Sequence, residues 1–165
     1  MNGCLSVYLW CLVFSVVPKT SHWELTPRQS IEQECATRGR DAVIDGCVAL
    51  LEGKPSGVDD TLVVALGGPT ARRILSGESR AEPQVWTRVW ALRGLLWVWD
   101  DRASVVLSSA LTDRSWRVRE MAIKVARRHL VGKHLASIAA LQEDPVARVR
   151  TVAADATRRI AAAQA

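Results

Sequence analysis

The second half of this 165-residue chain repeats itself at a fixed interval of 31 residues. In each copy an acidic residue comes first, an arginine follows six positions later and an alanine nine positions later. The recurring sets are Glu82, Asp113 and Asp144; Arg88, Arg119 and Arg150; and Ala91, Ala122 and Ala153. A unit of this length cannot bury its apolar side alone, so we expect successive units to stack and share a core.

Each clear copy has the spacing of an amphipathic helix, and its leading carboxylate is expected to cap that helix. The apolar stripes are Val118, Ala122, Val125 and His129 in one copy and Val149, Ala153, Ala156 and Ile160 in the next. Shorter helices are predicted between the long ones, over 102–111 and 133–142. Small alanines on the stripes allow neighbouring helices to approach closely.

The first half of the chain predicts short helices that do not follow the 31-residue period. Thr26-Pro27-Arg28-Gln29 is a capping box with proline at the first helical position, and Gly39 is expected to end that helix. A second helix is predicted from Asp41. Residues 59–66 fit a strand as well as a helix, but their acidic start favours a helix. A further helix is predicted over 69–75.

The amino-terminal segment is apolar over residues 3–17, which is shorter than the roughly 20 residues that span a bilayer. It also lacks a basic start and a small-residue cleavage site. It could be a poor signal or anchor, a helix packed on the domain, or non-native sequence from an upstream translation start; the last is favoured. Residues 1–22 are therefore interpreted as a leader outside the folded domain, and 23–165 as one domain. That domain has divergent hairpins over 24–76 and clearer repeats over 82–163.

The charge of the chain is unevenly distributed. The formal net charge is +5, and residues 82–165 hold 14 basic and 8 acidic side chains. Such an excess favours an anionic partner, because positive potential speeds encounter. With 48% hydrophobic and 24% charged residues, the composition argues against a disordered chain and against a protein that spans a membrane several times.

The cysteines and histidines do not form a recognisable metal or disulfide framework. There is no CxxC pair, and the three histidines are scattered, so no metal and no cofactor is predicted. A reducing cytoplasm is the simplest compartment for such a chain. The four cysteines are Cys4, Cys11, Cys35 and Cys47.

The repeated units resemble a known family. The sequence Asp113…Val118-Arg119…Ala122 and its next copy are similar to the short HEAT-like repeats of bacterial proteins, of the kind also found in phycobilin lyases. The resemblance implies an all-α fold, a short α-solenoid in which antiparallel helix hairpins form a right-handed superhelix, as in armadillo proteins. It also implies that the repeat helices line the concave side. The residues that it implies for an internal structural ladder are Asp113, Arg119, Asp144 and Arg150, with Arg88 as a degenerate copy.

Outside the ladder, seven basic side chains on the last two long helices form a predicted basic strip. They are Arg117, Lys124, Arg127, Arg128, Arg148, Arg158 and Arg159. Several of these positions are 31 apart, so stacking should place them side by side. The strip could bind nucleic acid or an acidic peptide. Alternatively, it is a solvated surface partly neutralised by Glu120 and Asp155.

A candidate aromatic patch, formed by Trp86, Trp90 and Trp97, lies in the first copy. Burial of this helix by the hairpins of the first half is favoured over an exposed patch that binds a partner.

Three functions follow from these features, and the favoured one is a non-enzymatic scaffold that binds a protein partner through its curved surface. Its oligomeric state is not predicted, and no stable membrane span is expected. The first alternative is a nucleic-acid binder that uses the basic strip. The second is an alkylpurine DNA glycosylase, since Trp97 and Asp101, four residues apart, distantly resemble the aromatic residue and aspartate that HEAT-like DNA glycosylases pair with an arginine. No catalytic residue is assigned, since Asp101 also fits a helix cap and no motif identifies the arginine that such enzymes need.

Overall fold

The computed structural model describes residues 25–78 and 82–165, in which helices alternate with turns and loops and no strand is present. The predicted leader, residues 1–22, lies outside them. No helix within the described part is long and apolar enough to cross a bilayer. The helices are α1 (Pro27–Arg38), α2 (Arg40–Leu51), α3 (Asp60–Gly67), α4 (Pro69–Leu75), α5 (Pro83–Trp97), α6 (Ser104–Leu111), α7 (Trp116–Arg128), α8 (Leu135–Ala140) and α9 (Ala147–Ala162).

Local sequence accounts for the helix ends in the first half. The Thr26 hydroxyl accepts a bond from the Gln29 amide at 3.4 Å, and the Gln29 side chain accepts one from the Thr26 amide at 2.9 Å. This is the predicted capping box. Asp59 caps α3 by accepting from the Thr61 amide at 2.8 Å, so residues 59–66 are a helix start and not a strand.

Helices α1 to α4 pack against one another and then against α5. Two glycines allow this approach, since a Cβ on Gly94 of α5 would lie 2.6 Å from the Cys47 sulfur, and one on Gly67 would lie 2.5 Å from the Trp90 ring. Helix α2 contacts both α5 and α6. The seam between the halves is therefore apolar and tight.

In the second half α5 packs on α7 and α7 packs on α9, while α6 and α8 each pack on the long helix that follows them. The predicted stripe on α7 and α9 is fully buried over the seven residues Val118, Ala122, Val125, Val149, Ala153, Ala156 and Ile160. The eighth residue, His129, is half-buried. The predicted connecting helices are shorter than expected, because 3-10 turns over Asp101–Ala103, Gly132–His134 and Leu141–Glu143 occupy their ends.

Arginine and aspartate join adjacent units. The Arg119 guanidinium donates from Nε and Nη2 to the two oxygens of Asp144, at 2.7 and 3.0 Å, and from Nη1 to the carbonyl of Asp113 at 2.7 Å. Arg88 makes a looser contact of the same kind with Asp113, 2.8 Å from Nε to Oδ2. Arg150 donates to the carbonyl of Asp144 at 2.7 Å. Arg119 and Arg150 thus hold the loop before their own helix, and Arg88 and Arg119 hold the carboxylate of the next unit.

The capping role predicted for the leading carboxylates is wrong. The helix caps are Ser115 and Val146, and Asp113 and Asp144 lie two residues earlier, where each accepts a bond at 2.8 Å from the amide of that cap residue. Glu82 is at its helix cap but makes no capping bond. The aspartates shape the turn before the helix and leave their outer oxygens for arginine.

Candidate functional site

The basic strip lies on α7 and α9, and its positions 31 apart have common neighbours. Arg117 and Arg148 both lie over the Trp116 ring, at 4.5 and 5.9 Å from its centroid. Arg127 and Arg158 both contact Asp155, at 2.5 and 3.4 Å. Stacking of the two helices therefore brings together side chains that are remote in sequence.

Tryptophan and arginine alternate across the start of these helices. Arg117 lies 5.7 Å from the Trp86 ring as well as over Trp116, so the series Trp86, Arg117, Trp116 and Arg148 crosses from α5 to α9. We call these four residues the tryptophan–arginine row. Both rings are partly exposed. An open cleft of about 440 Å³ beside the row is lined by Glu82, Val85, Trp86, Arg114, Ser115 and Arg117.

The predicted aromatic patch is divided by the structure. Trp90 is only 2% exposed, so it belongs to the core and not to a surface. Its ring stacks with that of Trp86, with 6.3 Å between the ring centroids. Trp97 is partly exposed and has two guanidinium groups near its ring, Arg128 at 4.4 Å and Arg28 at 5.5 Å. The patch is therefore two separate aromatic positions, each of which pairs with arginine.

Two carboxylates lie within the strip. Glu120 contacts Lys124 at 2.7 Å and Arg148 at 2.8 Å. Burial alone would raise the pKa of Glu120, but hydrogen bonds from these two cations outweigh it and hold the pKa below its ordinary value. Glu120 is thus ionised at neutral pH and fixes two members of the strip.

Asp155 pairs with three arginines. It contacts Arg127 at 2.5 Å, Arg159 at 3.3 Å and Arg158 at 3.4 Å. The hydrogen bond from Arg127 is the main cause of a lowered pKa at Asp155. One carboxylate balances one of these three charges, so the strip remains positive after its internal ion pairs are counted.

A second cleft, of about 410 Å³, lies further along the strip. We call it the basic cleft, and its lining residues are Leu96, Lys124, Arg127, Arg128, Leu130 and Arg159. Each cation already has a partner that fixes it: Glu120 holds Lys124, Asp155 holds Arg127 and Arg159, and Trp97 holds Arg128. Cations in fixed positions lose little side-chain entropy when an anion binds.

The residues proposed for an enzyme are engaged in helix-end contacts. Asp101 accepts from the Trp99 indole at 3.1 Å, while Trp97 stacks with arginine. His129 stacks on Trp99 and bonds the Leu95 carbonyl at 2.9 Å, and burial lowers its pKa. No group of three metal-ligating side chains comes together within the ranges that the structure covers.

Three contributors to this face were not identified from the sequence. Trp116 and Leu130 are not repeated at the 31-residue offset, because Ala147 and Ala161 stand in the next copy and Val85 and Trp99 in the preceding one. Arg28 reaches Trp97 only through tertiary packing. Periodicity therefore located the charges, but it could not locate the aromatic and aliphatic groups between them.

The face of α5, α7 and α9 thus combines half-exposed tryptophans, fixed cations and two clefts. Comparison of the chain with known protein families, with curated proteins and with solved structures finds no match in any of the three.

Proposed function

We propose that the chain is a non-enzymatic adaptor built from HEAT-like repeats, and that it binds a protein partner through the face of α5, α7 and α9. The support for a short solenoid is the succession of α5, α7 and α9, with an arginine of each unit paired to the aspartate of the next. In such an array the long helices supply one continuous surface.

The tryptophan–arginine row is the observation that carries this proposal. Tryptophan and arginine are the residues most enriched among those that dominate protein–protein binding energies. In the row, each arginine lies near an indole and keeps exposed surface, so aromatic and charged area is presented in fixed positions. A protein partner can cover both kinds of area at once.

Two features make nucleic acid the second candidate and not the first. Glu120 and Asp155 place negative charge within the strip, where a phosphate backbone would be repelled. Arginine already lies over the indole rings on which bases of a single strand would stack. The net positive charge of the basic cleft is the feature that favours this alternative.

The cytoplasm remains the compartment that we propose. Both described cysteines, Cys35 and Cys47, are free thiols. Cys47 is fully buried, and burial raises its pKa to about 12, so it stays protonated and unreactive at neutral pH.

The test compares proteins captured from native extract by wild type, by Arg117→Glu and by a control, Arg73→Glu, which changes an exposed arginine on α4. We expect Arg117→Glu to lower the yield of specific partners by about tenfold or more, as for loss of a central interface residue. The control should retain them. Unchanged capture by Arg117→Glu would overturn the proposal.

The alternatives have their own readouts. Duplex DNA binding that weakens steeply with salt, and weakens further in Arg127→Glu/Arg128→Glu, would favour a nucleic-acid binder. Release of alkylated bases that is lost in Asp101→Asn would favour the glycosylase.

A further inference from the structure

Leu130 has an unusual backbone conformation for a leucine. It is the one non-glycine residue with a positive φ in the described part of the chain, at 51°. It directly follows the cap of α7, where the Val131 amide donates to the Ala126 carbonyl at 2.9 Å. This is the Schellman arrangement, in which glycine is the usual residue because a Cβ is unfavourable there.

The side chain of Leu130 is not buried in the core, so packing does not offset this unfavourable backbone conformation. It is 48% exposed, and it lies at the rim of the basic cleft with Leu96. Strained backbone that packing does not explain is found disproportionately at ligand-binding positions. The conformation and the exposure therefore draw attention to the cleft as a binding site.

The charges around the cleft define what it could bind. The cations Lys124, Arg127 and Arg128 come from α7 and Arg159 comes from α9, whereas α5 contributes Leu96. The nearby carboxylates, Glu120 and Asp155, are also paired with Arg148 and Arg158. The cleft therefore carries positive charge beside two aliphatic side chains.

We propose that the basic cleft holds a carboxylate side chain of an acidic partner segment, with an adjacent aliphatic residue of that segment packed on Leu96 and Leu130. This inference rests on the proposed function and specifies the partner as an acidic, leucine-containing peptide. Planar guanidinium groups suit a carboxylate, because two parallel N–H bonds match its two oxygens.

The two leucines favour a peptide over nucleic acid. A phosphodiester backbone offers no aliphatic group to cover them, and its evenly spaced charges would also face Asp155. A peptide places one carboxylate over the excess positive charge of the cleft and an apolar side chain beside it. Charge complementarity and burial of apolar area then act together.

The direct test is a methyl NMR titration of the full chain with the peptide acetyl-Leu-Glu-Glu-Leu-amide. The control peptide has glutamine at both glutamate positions. We expect shifts at the Leu96 and Leu130 methyl groups, and binding about tenfold or more weaker for the control, as expected when a charge-assisted bond is lost. Equal binding of both peptides, or no shift at these methyls, would overturn the inference. If an oligothymidylate of eight nucleotides bound at the same methyl groups more tightly than the glutamate peptide, the inference would also be overturned.

A variant separates the backbone cost of Leu130 from its role in binding. Leu130→Gly should relax the turn and raise the melting temperature by roughly 2–4 °C. The same change should weaken binding of the glutamate peptide by about threefold or more, because apolar contact is lost. Leu75→Ala, which changes another exposed leucine, should leave peptide affinity unchanged. Unchanged affinity in Leu130→Gly would overturn the role of the leucine even though the variant folds.

Failure of the peptide-binding inference can be distinguished from failure of the proposed function. If the glutamate peptide does not bind but partner capture still depends on Arg117, only the cleft assignment fails. If the peptide binds and capture is indifferent to Arg117, the tryptophan–arginine row is not the main contact surface.

Discussion

The two halves of the molecule use similar helices but hold them together differently. In residues 82–165, an arginine of one unit reaches the aspartate of the next, and the same contact recurs 31 residues later. In residues 25–78 the polar contacts do not recur: the Ser30 hydroxyl donates to the Ala65 carbonyl, and Arg38 contacts Glu34 and Thr61. Only the second half therefore aligns equivalent side chains into a surface.

The largest effect should come from charge placed in the seam of the second half. Ala122 is fully buried between neighbouring helices, so Ala122→Asp would bury an unpaired carboxylate and lower the free energy of unfolding by about 3–5 kcal/mol. Urea unfolding measures this loss. Ala136→Asp, on the exposed surface of α8, is the control and should stay within about 0.5 kcal/mol of wild type. If Ala122→Asp had the same free energy of unfolding as wild type, the packing described for α7 would be wrong.

The next effect concerns the arginine ladder itself. Arg119→Ala leaves Asp144, whose side chain is 2% exposed, without its main partner and should cost about 3 kcal/mol. Arg88→Ala should cost less, because its pair with Asp113 is more exposed and less well aligned. Lys54→Ala in the first half removes an exposed pair with Glu52 and should cost under about 0.5 kcal/mol. Urea unfolding measures these three losses of unfolding free energy. If the first-half variant lost the most and Arg119→Ala the least, the arginine ladder would not be what holds the second half together.

The seam between the halves should respond to added volume. Gly94→Ala places a methyl group against the Cys47 sulfur and the Leu66 side chain. Overpacking costs about 1–3 kcal/mol, and the helix preference of alanine offsets about 1 kcal/mol of it. We expect a net loss of about 1 kcal/mol by thermal unfolding. Gly57→Ala, with open space around its Cβ position, should lose nothing, and equal effects would argue against a tight seam.

The smallest effect is a dependence on acid pH. Hydrogen bonds from Arg119 hold the pKa of Asp144 below its ordinary value of 3.8. The stabilisation is thus complete above that value and is lost as pH falls through the lower, folded-state pKa. The difference in unfolding free energy between wild type and Asp144→Asn should therefore narrow on acidification from about pH 6 to about pH 3. A constant difference would show that the ion pair does not stabilise the fold.

Much of the helical framework could be predicted from sequence, because caps and periodicity are local signals. Helix α4 begins and ends at the predicted residues, Pro69–Leu75, and the buried stripe of α7 lies where its spacing placed it. Cover of α5 by the hairpins of the first half is predicted from sequence, but the packing of α2 on α6 could not be predicted, since no repeat relates these two helices.

The face of α5, α7 and α9 was predictable only for its charges. The 31-residue spacing predicts that Arg117 and Arg148 lie side by side, and both lie over the Trp116 ring. The positive φ of Leu130 could not be predicted from sequence, because a Schellman turn favours glycine at this position and not leucine. The stacking of Arg28 on Trp97 depends on how the two halves pack, which propensity and periodicity do not encode.

Arginine and aspartate fix neighbouring units in register, and this register aligns the side chains of the basic strip. A double-mutant cycle on Arg119→Ala and Asp144→Ala, measured by urea unfolding, would show whether the pair joins the units. We expect a favourable coupling free energy of about 1.5 kcal/mol or more, as for a buried, hydrogen-bonded pair. A coupling close to zero would contradict the claim, because the two residues would then stabilise their own loops without joining the units.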